Sequence, residues 1–245
     1  MFGHSNKMIN TFFFKIDNTT FLQVGIDPNT DFQSMIQIFT KSRVITISPS
    51  FLNEIFAKKE YILNKLESQQ PAAESDMFLY DYMAVWIYQR HGEKYLCIEC
   101  LLRDYILRLT KIQFQKLCQH EISINRKCTL NNMVYKPIVE EQLELLAVFF
   151  KKIFPFKKAL FHEKLVKYAQ LIEEEQLKSV LPTTNECFYG QIQFRATKQL
   201  VNRWIQLLSI PSDVSYKYNN TFQVLYDFFF FFPSQMMKFH LHHFQ

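Results

Sequence analysis

Glycine is almost missing from this chain, at 4 of 245 residues. That scarcity excludes the Gly-rich loops that cradle phosphates, and no G-x-G-x-x-G or Walker-type run is present. No H-E-x-x-H occurs either. The five cysteines (Cys97, Cys100, Cys118, Cys128 and Cys187) are an odd set that reads as reduced thiols rather than a disulfide framework. In a reducing compartment the sequons at Asn18 and Asn219 carry no glycan. No apolar run reaches the ~18 residues that a membrane helix needs. The opening "MFGHSNKMIN" lacks the apolar core of a signal peptide. The expectation is an intracellular protein with no membrane span. Charge is nearly balanced, 28 basic against 23 acidic residues, so the net +5 biases partners only mildly towards anions. No catalytic constellation emerges: "EEQLE" and "IEEEQ" read as helix surface, and Glu163 beside His162 has no nucleophile in its neighbourhood of sequence. The chain reads as a non-enzyme without cofactor or metal.

What is abundant is apolar and aromatic: 48% hydrophobic and 16% aromatic residues, enough for one large domain or several small ones. Residues 11–26 read as a hairpin, with Phe12, Phe14, Ile16 and then Leu22, Val24, Ile26 on one face and "DNTT" as the turn. "FQSMIQIF" and "SRVITI" follow as strands. Ser48 is a helix N-cap with Pro49 at the first helical position, and Phe51, Leu52, Ile55, Phe56, Ile62, Leu63 and Leu66 form one helical stripe. "ESQQPAAESD" is a polar linker.

Then the pattern begins again. "YDYMAVWIYQ" alternates, "RHGEK" turns, "YLCIECLL" and "YILRL" are strands, and Thr110 caps the helix "KIQFQKLCQHE". Ile45, Ile47, Ser48, Leu52 and Ile55 lie over Leu107, Leu109, Thr110, Phe114 and Leu117 without a gap. "FLQVGI" (21–26) lies over "YLCIEC" (95–100), with extra residues in the first copy between that strand and the cap. Two degenerate copies of a sheet-plus-helix unit are inferred, spanning 1–68 and 78–136 around a 69–77 linker. A helical region follows at 137–210, with helices over "IVEEQLELLAVFFKKIF", "FKKALFHEKLVKYAQLIEEEQLKSVL" and "ATKQLVNRWIQLLS", and an irregular tail occupies 211–245.

The second copy resembles the positive cofactor four family of transcriptional coactivators. The resemblance rests on Leu107, Arg108, Leu109 and Thr110, followed by Phe114 and Leu117, and on Gly92, Tyr95, Leu96 and Ile98 in "HGEKYLCI". It covers 82–124, and more loosely 12–66. It departs from the family in having Phe114 and Leu52 where the family has tryptophan, and in a shortened loop, "LLRD", ahead of the last strand. It implies a curved antiparallel sheet crossed by a helix, pairing of two units, and binding of single-stranded DNA in the nucleus. Two copies in one chain would pair with each other, giving an α+β intrachain pseudo-dimer followed by a helical region. Such pairing covers the apolar face that a lone sheet with one helix leaves open.

Alternation then divides the faces. With Met83, Val85, Ile87, Leu96 and Ile98 turned to the helix, Tyr82, Trp86, Tyr88, Tyr95 and Arg90 point away, as does Arg108. Bases stack on aromatic rings at ~1–3 kcal/mol each, while Arg90, Lys94, Arg103 and Arg108 neutralise phosphates and make binding steeply salt-dependent. The first copy offers a thinner set: Phe13, Lys15 and Phe21, with Lys41 and Arg43. The alternative is that these aromatics pack against the other copy or the helical region, and the protein is an interaction scaffold whose helices recruit a partner.

Other features have plainer readings. Cys97-x-x-Cys100, completed by Cys118 and His120 or by Cys128, offers a zinc reading, but strand residues three apart face opposite ways and no glycine-bearing knuckle is present; small buried hydrophobes are the plainer reading. "KKIFPFKK" (151–158) is a solvated corner or an anion contact, and His240, His242 and His243 are at most a weak metal site. The run Phe228–Phe232 is open to several readings: aggregation-prone tail, oligomer contact, membrane-surface anchor, or translation of a pyrimidine-rich non-coding stretch.

Overall fold

The computed structural model describes residues 7–40, 43–71, 78–102, 105–153, 162–182 and 186–209. The phenylalanine run, the tail histidines, Lys41, Arg103 and most of the "KKIFPFKK" corner lie outside them. Strands β1 (Ile9–Lys15), β2 (Phe21–Asp27), β3 (Gln33–Phe39) and β4 (Val44–Ile47) form an antiparallel meander. Its first turn is built on Asp17, whose Oδ1 accepts from the amides of Thr19 and Thr20 at 2.7 Å each. Ser48 ends the sheet: its Oγ accepts from the Phe51 amide at 3.2 Å, starting α1 (Pro49–Ala57), and α2 (Lys59–Glu67) follows after a break at Lys58.

The second unit repeats this order with β5 (Phe78–Tyr80), β6 (Met83–Arg90), β7 (Glu93–Cys100) and β8 (Tyr105–Thr110). His91 and Gly92, at φ 52° and 82°, make the two-residue turn between β6 and β7. Thr110 and Gln113 form a reciprocal capping box that starts α3 (Lys111–Gln119), and α4 (Glu121–Leu130) follows after a break at His120. The two helix breaks, Lys58 and His120, stand at the same distance beyond Ser48 and Thr110.

Pairing register corrects one expectation. Ile45 pairs with Ile38, and Ile38 with Leu22; Leu107 pairs with Ile98, and Ile98 with Val85. So β2 corresponds to β6 and β3 to β7, and the strand at 21–26 does not correspond to 95–100. The first copy therefore has no extra strand-to-cap residues to explain. The first two hairpin connections are longer in unit one, the second holding a 3-10 turn at Pro28–Thr30, while the stretch from the third strand to the cap is longer in unit two.

The two units share one core. Leu22, Val24, Ile36, Ile38, Leu52 and Ile55 lie in the same buried cluster as Val85, Ile87, Leu96, Ile98, Phe114 and Leu117. In each unit the first helix packs on its own sheet and the second on the partner's: α1 lies on β3 and α2 on β7, while α3 lies on β7 and β8 and α4 on β2 and β3. Crossing helices also pack together, α1 with α4 and α2 with α3. Where they cross, Lys59 Nζ sits 2.8 Å from Glu121 Oε2. These are the residues next after the two helix breaks, so each is the other's counterpart. A residue that meets its own counterpart marks a two-fold axis, and here the pseudo-axis carries opposite charges rather than a like pair.

Beyond α4 the chain stays helical through a π turn at Asn131–Tyr135 into α5 (Lys136–Ile153). Then come α6 (His162–Leu171), α7 (Glu174–Val180), α8 (Tyr189–Arg195) and α9 (Thr197–Ser209). The single helix expected through 171–180 is two helices, because the chain extends at Glu173, which caps α7. These helices enclose a second core around Leu146, Phe150, Ile192 and Trp204, with Phe150 and Trp204 stacked at 5.4 Å. That core also takes in Ile9, Ile26 and Phe32, so the helical region docks on the first unit. The joint is polar as well: Asn10 N donates to Gln191 Oε1 at 2.9 Å, Ser34 N to Asn132 Oδ1 at 2.8 Å, and Gln199 Nε2 to the Pro28 carbonyl at 2.9 Å. No helix of the described residues is long and apolar enough to cross a membrane.

Candidate nucleic-acid interface

Strand alternation sorts the second sheet as its sequence predicts. Met83, Val85, Ile87, Leu96 and Ile98 are buried in the shared core. The opposite face carries, across β6, β7 and β8, the rows Trp86–Cys97–Arg108 and Tyr88–Tyr95–Thr110. The helices that cover this sheet pack from the core side, so among the described residues the aromatic face is open: Tyr88 is 38% exposed, Arg90 and Arg108 are exposed, and Trp86 and Tyr95 are half-buried. Tyr82 stands in the β5–β6 turn, beside Asp81 at φ 53°, and is also exposed. The Arg108 guanidinium lies 5.4 Å from the centre of the Tyr88 ring, which fixes one stacking surface beside one cation.

Alternation also brings acids to this face. Glu93 and Glu99 share β7 with Tyr95 and Cys97. The Tyr95 hydroxyl donates to Glu93 Oε2 at 2.5 Å, and that bond pushes its phenol above the ordinary value. Two glutamates thus offset Arg90 and Arg108. They were as legible in the sequence as the arginines, from the same two-residue step.

Lys94 does not belong to this face. It alternates with Tyr95 and so points to the helix side, where its Nζ donates to the Lys65 carbonyl at 3.0 Å and to Ser68 Oγ at 3.3 Å. It caps the end of α2, a role that favours a cation at the negative pole of the helix dipole. Arg103 and Lys41 lie outside the described residues.

In the first unit, Phe13, Lys15 and Phe21 do share the outer face, paired with Gln23 or with each other. That face is narrower. The segment around Met8 and Thr11 lies over Gly25 so closely that a Cβ there would stand 2.8 Å from both side chains. Asn10, at φ 50°, sits where the β1–β2 register shifts and lets the chain make this approach. Arg43 lies apart from the aromatics, at the seam between the sheets, where its Nη1 donates to the Ile106 carbonyl at 3.2 Å.

The cysteines have structural surroundings. Cys97 faces outwards and is covered, while Cys100 faces the core. Burial pushes the Cys97 thiol up to about 11 against the opposing pull of Arg108, and burial likewise pushes Cys118 up to about 11. These are inert thiols rather than nucleophiles. No cluster of three metal-ligating side chains occurs among the described residues. At the basic corner, Lys151 Nζ donates to the Leu207 carbonyl at 2.5 Å and so ties α5 to the end of α9.

Comparison of the chain with protein-family models, with curated proteins and with solved structures finds no match.

Proposed function

We propose that this protein binds single-stranded or melted nucleic acid, without catalysis, on the outer face of its second sheet. The reading is supported by one observation above all. Trp86, Tyr88, Tyr95 and Tyr82 stand together on a face that is not packed against the paired unit, with Arg90 and Arg108 among them. A core or an interface is where such rings are usually spent. Left open on a twisted sheet, they suit bases, which present a π-face whatever their identity. The coactivator-like pattern in the sequence adds a nuclear role in transcription or replication to the proposal.

Charge sets the form of the binding. With Arg90 and Arg108 offset by Glu93 and Glu99, stacking carries more of the affinity than phosphate contact. For about two or three neutralised phosphates, log K falls with log salt at a slope of about −1.4 to −2, shallower than the arginines alone suggest. The test is fluorescence anisotropy of labelled oligo-dT over a salt series. Length-dependent binding that falls at least tenfold in the Trp86→Ala/Tyr88→Ala double variant is expected. No binding at low salt contradicts the reading and favours a protein-interaction scaffold built on the same paired sheets.

A further inference from the structure

Where the last strand of unit two meets the turns of unit one there is an open groove of about 400 Å³, lined by Thr19, Thr20, Thr40, Arg43, Arg108 and Gln113 together with Ile106 and Leu107. Among the described residues its lining includes two cations and no carboxylate. The cations come from different units: Arg43 precedes β4, and Arg108 lies on β8. Arg108 is also the residue that stands over Tyr88, so the groove opens beside the aromatic face. Gln113 is itself held in place: its Nε2 donates to Asp17 Oδ2 at 2.7 Å and to Thr20 Oγ1 at 3.0 Å.

The pseudo-two-fold axis supplies a control within the same molecule. Counted from the caps Ser48 and Thr110, the counterpart of Arg43 is Tyr105, that of Arg108 is Thr46, and that of Gln113 is Phe51. At the corresponding seam Phe51 meets Tyr80 with ring centres 5.8 Å apart, and Tyr105 is exposed. Two seams built on one plan have diverged: Arg43, Arg108 and Gln113 in one stand where Tyr105, Thr46 and Phe51 stand in the other.

We infer that the Arg43–Arg108 groove is a phosphodiester subsite, through which the backbone of the strand stacked on Tyr88 and Tyr95 crosses from unit two to unit one. This rests on the reading of the aromatic face given above. Guanidinium groups from two sides hold a phosphate by paired N–H donors, while Thr19, Thr20 and Thr40 frame them, their hydroxyls bonded to Asp17, Gln113 and Arg43. The site exists only when the units are paired, and it occurs once per chain. Binding is therefore one strand per protein, in a fixed direction.

The test uses the full chain and labelled oligo-dT of graded length. Arg43→Gln is expected to weaken long oligonucleotides three- to tenfold, to reduce the salt slope by about 0.7, and to leave the shortest bound lengths unchanged. Arg43→Lys should keep the salt slope, and both variants should melt as the wild type does. If Arg43→Gln loses stability, Ile106→Glu replaces it: Ile106 lines the groove next to Arg108, and the added carboxylate should give the same length-dependent loss. Wild-type binding with unaltered slope and length dependence in Arg43→Gln or its replacement overturns the groove while the aromatic face stands. An absence of any wild-type binding overturns both. A stoichiometry of two strands per chain also overturns the groove.

Discussion

Replacing Phe114 by alanine tests whether the two units are one folding body. Phe114 is fully buried, four residues after the Thr110 cap, and it lies in a cluster with side chains of both sheets. Removing its ring costs the transfer of the lost atoms and leaves a cavity that close packing refills only partly, about 3–5 kcal/mol. Against a whole-domain stability of about 5–15 kcal/mol that is a large fraction. Because α4 packs on β2 and β3 and α2 on β7, the loss is not confined to the second unit. The assay is urea denaturation of wild type and Phe114→Ala, with amide hydrogen exchange read on β2–β3 and β6–β7 separately. The two sheets should lose protection by similar amounts, and the pair should unfold in one transition. Leu52→Ala, at the counterpart position, should act alike. If β6–β7 loses protection while β2–β3 keeps all of its own, the shared core is refuted and the units are independent modules.

Further outcomes follow from the polar contacts. Glu121→Lys sets two like charges at the pseudo-axis beside Lys59 and should lower the melting temperature; adding Lys59→Glu should recover part of it, an interaction visible in a double-mutant cycle. Burial tends to raise the Asp17 carboxyl, but hydrogen bonds from Gln113, Thr19 and Thr20 hold it down at about 2, below its ordinary 3.8. A depressed carboxylate adds stability above its unfolded value and loses it as pH falls towards the folded one. Between pH 4 and 2 the protein should therefore lose about 1–2 kcal/mol through this group after allowance for solvent screening, and Asp17→Asn should flatten that part of the pH profile. Lys94→Met removes the cap on α2 and should destabilise the fold modestly while leaving oligo-dT affinity intact, since the side chain faces away from the aromatic surface.

The hinges were legible because two different periodicities meet there. At Ser48 and Thr110 a two-residue step gives way to a helical one on a side chain able to cap, and the structure places both at strand–helix junctions. The buried and outward sets of β6 and β7 followed from alternation alone. What failed had local causes. β5 is three residues long, too short to show a period. The β2–β7 match arose because every strand of a half-buried meander alternates alike, and only pairing register tells the second strand from the third. Lys94 was assigned by charge instead of by its place in the alternation. The breaks at Lys58 and His120 interrupt the backbone without interrupting the apolar stripe, so the crossing of helices between units left no mark in the sequence. The groove at Arg43 and Arg108 was hidden for the same reason, as its two cations meet only when the units pair.

Trp86 provides the most direct test of the central claim. The chain has two tryptophans, and Trp204 is fully buried in the helical core. In a Trp204→Phe background, emission reports the outer face of the second sheet alone. Titration with oligo-dT should quench it with the same midpoint as the anisotropy of the labelled strand, because a base stacks on the indole. Binding by anisotropy with unchanged Trp86 emission would place the strand elsewhere and contradict the account.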